Sequence, residues 1–105
     1  MQEKLLSRRL EWDDAAALQG EAFEFFPLED ASRPVALSVT DVKLRSRDAR
    51  GVQFSIVFRG PAAPVYPQRI YRFRHARLGE YAIFVTAIAQ GVGGVDYEAV
   101  FSYGG

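Results

Sequence analysis

The sequence contains no cysteine, which excludes disulfide bonds, thiolate nucleophiles and cysteine-based zinc sites. Small secreted domains usually depend on disulfides, so this absence favours a cytoplasmic protein. Long apolar runs are absent too, and none approaches the roughly 20 residues that a membrane-spanning helix needs. Charged residues on both sides of Leu5 and Leu6 leave no room for the apolar region of a signal peptide.

The chain of 105 residues is long enough for one hydrophobic core and too short for two, so we expect a single β domain over residues 1–105. Hydrophobic residues make up 49% of the chain and aromatic residues 13%, a composition typical of a folded domain. Residues 1–10 are expected either to form a flexible N-terminal segment or to dock on the domain through Leu5 and Leu6.

Charge is distributed unevenly along the chain, although it sums to zero. Residues 1–44 carry 5 basic and 9 acidic residues, residues 45–77 carry 8 and 1, and residues 78–105 carry 0 and 3. Arginine outnumbers lysine by 11 to 2, and guanidinium groups form forked contacts with carboxylates or phosphates and stack on aromatic rings. The middle third therefore forms an arginine block, made of Arg45, Arg47, Arg50, Arg59, Arg69, Arg72, Arg74 and Arg77.

The one segment that predicts a helix lies before Gly20. Asp13 or Asp14 is suited to cap its first N–H groups, the following residues are good helix formers, and Gly20 is suited to end it. A helix this short is marginal in isolation. We therefore expect Trp12 and Leu18 to hold it against the rest of the domain.

After the helix, apolar residues recur at every second position, which is the period of β-strands. A first strand is predicted over residues 21–29 and a second over residues 35–45. In the second strand the apolar residues change parity, which indicates a β-bulge near Thr40 or Asp41. The inward face of the first strand carries Phe23 and Phe25.

The polar turn of residues 46–51 ends in glycine and predicts a hairpin between the second strand and a third over residues 52–59. Residues 60–68 contain three prolines, which cannot donate to a β-ladder and favour an extended connection. A fourth strand is predicted over residues 69–75, with arginines on the face opposite its aromatic residues. The inward residues of these two strands are expected to be Val52, Phe54, Ile56, Phe58, Tyr71, Phe73 and His75.

Two further strands complete the prediction. Residues 81–88 are apolar at both parities, which predicts a strand covered on both faces. A loose glycine-rich turn at residues 91–94 precedes a last strand over residues 96–103. Six short strands with regularly spaced turns predict a mainly β fold, a small antiparallel barrel or sandwich, and the helix is expected to plug one barrel end.

One combination of motifs spans nearly the whole chain. It consists of FRGP from Phe58, PQ from Pro67 followed by IYR, His75, LG from Leu78, and YEAVF from Tyr97. In these motifs and their spacing the chain resembles a small bacterial family that is catalogued only as a domain of unknown function. Family members usually have a small residue after PQ, where this chain has arginine. The resemblance implies no activity, cofactor or catalytic residue, and it implies a frequent location beside proteins of phage-tail or tail-collar type.

His75 is the only histidine of the chain and shares the parity of Tyr71 and Phe73. This position predicts a hydrogen-bonded histidine at the end of a buried face. A small enzyme centred on His75 is one alternative, with Glu80 across a turn as its orienting carboxylate, and it would also need a nucleophile. The sequence has no metal-ligand spacing and no phosphate loop, so we expect no enzyme, no metal and no cofactor.

The arginine block supports a second alternative. If the strands of Arg59, Arg72 and Arg74 are neighbours, these side chains form one patch beside Tyr66 and Tyr71. Barrels that bind single-stranded nucleic acid use such basic grooves with stacking aromatics. The net charge of zero argues against this function. We therefore favour ion pairing of the arginines with the acidic parts of the chain, within the fold or across a subunit interface.

The proline-rich connection has two interpretations. Prolines hold it in one shape at low entropic cost, and Val65 and Tyr66 offer apolar contact area, which suits a surface for a protein partner. The same features suit a rigid crossover that seals one barrel end. The function we predict is a non-enzymatic interaction or assembly module, an accessory of a phage-tail-like particle that binds a protein partner or itself. Its expected contact residues are Arg59, Pro64, Val65, Tyr66, Arg69, Arg72 and Arg74.

Overall fold

A computed structural model describes residues 9–27 and 33–104. Six antiparallel strands form one closed barrel in the order β1-β2-β3-β6-β5-β4. The predicted mainly β class with about six strands is confirmed, and the architecture is a barrel and not a sandwich. The elements are α1 (Trp12–Ala15), β1 (Ala22–Phe26), β2 (Val35–Asp48), β3 (Gly51–Gly60), β4 (Arg69–His75), β5 (Gly79–Gly91) and β6 (Gly94–Gly104).

Aromatic side chains fill the barrel because alternate residues of each strand face inward. The Phe23 ring meets the Phe58 ring edge-on at 5.4 Å, and Phe25 meets Tyr71 edge-on at 5.0 Å. Fully burying a side chain of this size contributes about 1.5–3 kcal/mol, so these rings dominate the stability of the core. The predicted inward residues Phe54, Ile56, Phe58, Tyr71, Phe73 and His75 are all buried, whereas Val52 at the start of β3 is half-buried.

The second strand contains the predicted bulge and one more. Its register with β3 shifts between Val39 and Asp41, which places the extra residue at Thr40 and confirms the change of parity seen in the sequence. A second shift, between Leu44 and Ser46, was not predicted. Four strands are also longer than expected, with 14 residues in β2, 10 in β3, 13 in β5 and 11 in β6.

Two of the hairpin turns, β2–β3 and β5–β6, are tighter than the sequence suggested. Asp48 pairs directly with Gly51, and the Asp48 Oδ1 accepts a hydrogen bond of 2.8 Å from the Arg50 N–H inside the turn. Gly91 pairs with Gly94, so the predicted loose turn has only two central residues. Glycine is required at residue 51, where φ is +144° and a Cβ atom would overlap the carbonyl oxygen of Tyr103.

The helix is shorter than predicted. It consists of one turn, Trp12–Ala15, preceded by Glu11, whose side chain makes no capping bond. Asp13 and Asp14 lie in the first turn instead of at the cap. Beyond it the chain turns into β1, because the Gly20 N–H donates to the Val39 carbonyl (2.8 Å) and so ties the chain to β2.

The helical segment packs against the barrel end at which β3 begins, as predicted. The Trp12 ring lies 5.3 Å from the ring of Phe54, near the start of β3. Leu10, Ala15 and Leu18 are each no more than 1% exposed. Within residues 9–27 and 33–104 no helix has the length and apolar character needed to cross a membrane.

Candidate functional site

The outward side of β4, β5 and β6 carries an apolar surface, which we call the outer apolar surface and define by Ile70, Ala82, Phe84 and Val100. Ile70 is 60% exposed, Phe84 50% and Val100 54%. Ile70 and Phe84 are direct cross-strand partners. The prediction that residues 81–88 are covered on both faces is therefore wrong, because Phe84 and Ile88 on the outward face of β5 are 50% and 51% exposed. Single exposed apolar residues are ordinary, but clustered ones mark interaction sites.

Beside this surface the barrel wall is divided. Strands β5 and β6 pair only from Gly91↔Gly94 to Thr86↔Glu98. Below that point residues 79–85 pair with β4 and residues 99–104 pair with β3. No described residue pairs these two segments with each other, and we call the boundary between them the seam.

The seam forms a groove with a volume of about 330 Å³. Phe84 and Val100 line it from its two sides, and Arg9 and Leu10 enter it from the N-terminal segment. Leu10 is 1% exposed, and the Arg9 guanidinium lies 4.2 Å from the centre of the Tyr103 ring. Arg9 is the one charged residue among those described that line the groove. Burial raises the pKa of the Tyr103 hydroxyl.

Arg72 and Arg74, two predicted contact residues, lie beside each other on the outward face of β4. Their guanidinium carbons lie 4.1 and 5.1 Å from the centre of the Phe26 ring. Phe26 pairs with Arg72 and faces outward, yet it is only 4% exposed. Arg74 donates two hydrogen bonds to the Glu24 carboxylate, and Arg72 pairs with Glu80 at 3.5 Å. These arginines thus cover an aromatic ring and neutralise carboxylates.

Arg59 lies elsewhere on the barrel. It belongs to β3, which is not a neighbour of β4, so the arginine patch that sequence reasoning considered does not form. Its guanidinium binds both carboxylate oxygens of Asp96, at 2.8 and 3.2 Å. The hydrogen bond from Arg59 lowers the pKa of Asp96, and the same bond raises the pKa of Arg59.

The favoured interpretation of the arginine block, ion pairing within the fold, is confirmed for most of its members. Arg69 is the exception among the described residues, since its guanidinium carbon lies 5.4 Å from the Tyr71 ring centre and contacts no carboxylate. The remaining pairs are Arg45–Glu98, Arg47–Asp13, Arg50–Asp48 and Arg77–Glu21.

The proline-rich connection runs from the end of β3 to the start of β4, at the barrel end opposite the helix. The Tyr66 ring packs edge-on against Phe25 at 5.1 Å, and the Tyr66 N–H donates to the Tyr97 hydroxyl at 3.0 Å. The Tyr71 hydroxyl donates a hydrogen bond to the Pro67 carbonyl. Burial raises the pKa of the Tyr71 hydroxyl. Tyr66 therefore seals the barrel. Two other predicted contact residues, Pro64 and Val65, stay exposed, Val65 by 42%.

His75 is a buried, fully hydrogen-bonded side chain, as predicted. It is 5% exposed, and its Nδ1 accepts hydrogen bonds of 3.1 Å from the backbone N–H groups of Arg77 and Leu78. Because Nδ1 accepts, the proton resides on Nε2, which donates to Glu21 at 2.7 Å. The carboxylate beside His75 is thus Glu21 and not Glu80. The described residues contain no cluster of three or more potential metal ligands.

Sequence reasoning missed the outer apolar surface and the seam. The sequence does indicate the surface. Phe84 is a large apolar residue at an outward position of β5, and Ile70 has the same parity as the outward arginines of β4. Apolar residues of both parities favour cover on both faces only where a second element packs on the outward face, and Phe84 and Ile88 are half exposed. The seam could not be found in this way, since it depends on which half of β5 pairs with which neighbour.

Comparison with known proteins gives a family and no function. No curated protein matches the chain, and no solved structure matches it. One family model, described as domain of unknown function DUF6916, matches residues 10–101, which includes all six strands except the end of β6. The chain therefore belongs to the DUF6916 family of domains of unknown function.

Proposed function

We propose that this domain is a non-enzymatic protein-interaction module and that the outer apolar surface is its contact surface. The observation that carries the proposal is the exposure of Ile70, Phe84 and Val100, each at least half open to solvent. Burying the exposed half of such side chains against a partner would contribute about 1 kcal/mol for each. A surface of this kind rarely persists on a monomer without a use.

The finer proposal is an accessory of a phage-tail-like particle that meets its partner in the cytoplasm. Its support is the sequence resemblance to a family often located beside tail and tail-collar proteins, together with the absence of cysteine. Assembly proteins of such particles must hold a neighbouring subunit, which a rigid barrel with one bare apolar side is suited to do.

Site-specific photo-crosslinking in the native cell tests the proposal. A photoreactive phenylalanine analogue is placed at residue 84, and a control carries it at residue 50, where the Arg50 side chain is 93% exposed in a hairpin turn. We expect one adduct with a tail-like structural protein from residue 84 and none from residue 50. The adduct should be lost when Ile70→Asp and Val100→Asp are added.

Two outcomes would contradict the proposal. Equal crosslinking from residues 84 and 50 would mean that the outer apolar surface is not a specific contact site. An adduct of twice the chain mass would mean that the partner is a second copy of this chain, which would contradict the finer proposal of a tail-like partner.

A further inference from the structure

We propose that the tip of the β5–β6 hairpin inserts the Val92 side chain into an uncharged, apolar pocket of the protein partner. We call this tip, residues 88–93, the hairpin arm. The inference rests on the proposed interaction function and adds a second contact to it, since the outer apolar surface and the hairpin arm would bind the same protein.

The hairpin arm extends beyond both neighbouring strands. Pairing of β5 with β4 ends at Val85↔Arg69, and pairing of β6 with β3 ends at Val95↔Gly60. Beyond these points each strand of the hairpin has only the other as its strand partner within the described part of the chain. All six residues of the arm are exposed. The arm therefore projects from the barrel, at the end that also carries the proline-rich connection.

Val92 departs from the usual chemistry of a tight turn. Such turns are commonly built from Gly, Asn, Asp or Ser, whereas β-branched residues are suited to strands. Val92 is one of the two central residues between Gly91 and Gly94, and it is fully exposed, so its side chain gains nothing from its own fold. The β2–β3 turn, in contrast, is polar and is stabilised by Asp48. A local rule that is broken without a gain in the fold indicates a functional position.

The composition of the arm defines the pocket that fits it. Residues 86–95 carry no charged side chain. A pocket with charged walls would have to bury those charges without a partner, which is costly, so the matching pocket is uncharged. Gly91 and Gly93 place no side chain on either side of Val92. The tip is therefore narrow, and the pocket has to admit the backbone turn and one valine side chain.

The arm is placed to reach the same partner as the outer apolar surface. Ile88 lies at the bulge of β5, four residues beyond Phe84, and both are about half exposed. Exposed apolar side chains thus continue along one strand from the outer apolar surface to the arm. At the base of the arm Asp96 pairs with Ala89 and binds the Arg59 guanidinium, which ties the arm to β3. An arm held in position loses less entropy on binding.

A membrane surface is the less favoured occupant. Hairpins and helices that bind anionic lipid combine apolar residues with Lys or Arg beside them. The arm has neither, and Arg59 at its base is already paired with Asp96. The chemistry of the arm therefore favours a protein pocket.

Photo-crosslinking from the arm tests the inference. The photoreactive phenylalanine analogue is placed at residue 90 of the full-length protein in the native cell, so that Val92 is kept. We expect residue 90 to capture the same protein as residue 84, and Val92→Ser should remove the adduct from residue 90. The crosslinked residues of the captured protein, mapped by mass spectrometry, should be uncharged. The control carries the analogue at residue 49, in the β2–β3 turn at the opposite barrel end, and should capture nothing.

Affinity measurements with the captured protein then test the shape of the contact. In fluorescence anisotropy of the labelled domain, Val92→Ser should weaken binding about tenfold, as expected for loss of an interface anchor. Ala49→Ser, in the exposed β2–β3 turn, is the control and should change affinity less than about twofold.

Gly93→Ala separates binding from folding. It should weaken binding about fivefold or more, because the added methyl group enlarges the tip that enters the pocket. Its urea midpoint should stay at the wild-type value, because nothing in the chain lies within 4 Å of the new Cβ atom. An arm that served only the stability of the barrel would not divide the two measurements in this way.

The outcomes separate this inference from the proposed function. An adduct from residue 84 without one from residue 90, or unchanged affinity in Val92→Ser, would overturn the arm and leave the outer apolar surface as the contact site. Loss of both adducts would overturn the inference and the function together. An adduct from residue 90 alone, or adducts with two different proteins, would overturn the shared partner. Sedimentation with vesicles of phosphatidylglycerol and phosphatidylcholine that is lost in Val92→Ser would overturn the protein pocket and assign the arm to a membrane.

Discussion

At the scale of single residues, the Arg59–Asp96 pair has a defined dependence on pH. Because Arg59 lowers the pKa of Asp96 in the folded protein, the folded state binds a proton less readily than the unfolded chain. The stabilisation is complete above the ordinary Asp pKa of about 3.9 and is lost as the pH falls through the lowered folded value.

Asp96→Asn tests this dependence. We expect the variant to lose less stability than the wild type when the pH falls from about 5 to about 2, because it has no carboxylate to protonate. The measurement is the urea midpoint at each pH. Asp14→Asn is the control, since Asp14 is exposed and makes no described ion pair. Equal acid sensitivity in the wild type and Asp96→Asn would contradict the role of the pair.

At residue 51 the backbone conformation and the space available both require glycine. Its φ of +144° is a conformation that residues with a Cβ atom rarely adopt, and the added atom would overlap the Tyr103 carbonyl oxygen. Gly51→Ala should therefore lower the free energy of unfolding by about 2 kcal/mol or more. The control is Gly93→Ala, where nothing lies within 4 Å of the added Cβ. Thermal or urea unfolding measures both, and similar losses would contradict this reading of the turn.

At the scale of elements, the proline-rich connection contains one residue that packs against the barrel core, Tyr66, and exposed residues beside it. Tyr66→Ala removes a ring that packs on Phe25 and should lower the free energy of unfolding by about 2–3 kcal/mol. Val65 is the adjacent residue and is 42% exposed. Val65→Ser should therefore change the free energy of unfolding by less than about 0.5 kcal/mol. Urea unfolding of the two variants measures the difference. Similar small losses in both would show that the loop does not seal the barrel.

Sequence patterns predicted most elements because each strand has one buried face. The alternation in β3 and β4 located the inward residues, and the change of parity in β2 located the bulge at Thr40. The helix was predicted too long because the alanine run favours a helix, whereas the bond between Gly20 and Val39 turns the chain into the barrel. Propensity was outweighed there by a tertiary contact.

At the scale of the whole molecule, strand order decides which charges meet. The sequence could not show whether Arg59 neighbours Arg72, because both β3 and β4 carry an arginine on the outward face. In the barrel they are separated, and the acidic ends of the chain supply Glu24, Glu80 and Asp96 as partners. The uneven charge distribution along the sequence therefore becomes a mixed surface in the fold.

This arrangement bears on nucleic-acid binding, the alternative function that the sequence left open without favouring it. Phosphates would have to displace carboxylates that already neutralise the arginines, so we expect no salt-sensitive binding of a single-stranded oligonucleotide at low salt. Fluorescence anisotropy of labelled oligonucleotides measures it. Binding by the wild type that disappears in the Arg72→Ala/Arg74→Ala double variant would contradict this expectation.

The division of the barrel wall between β5 and β6 is the feature that places Phe84 and Val100 of the proposed contact surface on the two sides of one groove. Residue-resolved amide hydrogen exchange on the free, full-length protein tests it most directly. We predict that alternate amides of residues 99–104, those facing the seam, exchange orders of magnitude faster than the amides of Ile56 and Phe58 in β3, which has a paired neighbour on each side. Uniformly slow exchange along residues 99–104 would contradict the account, because it would show that β6 is paired on both edges.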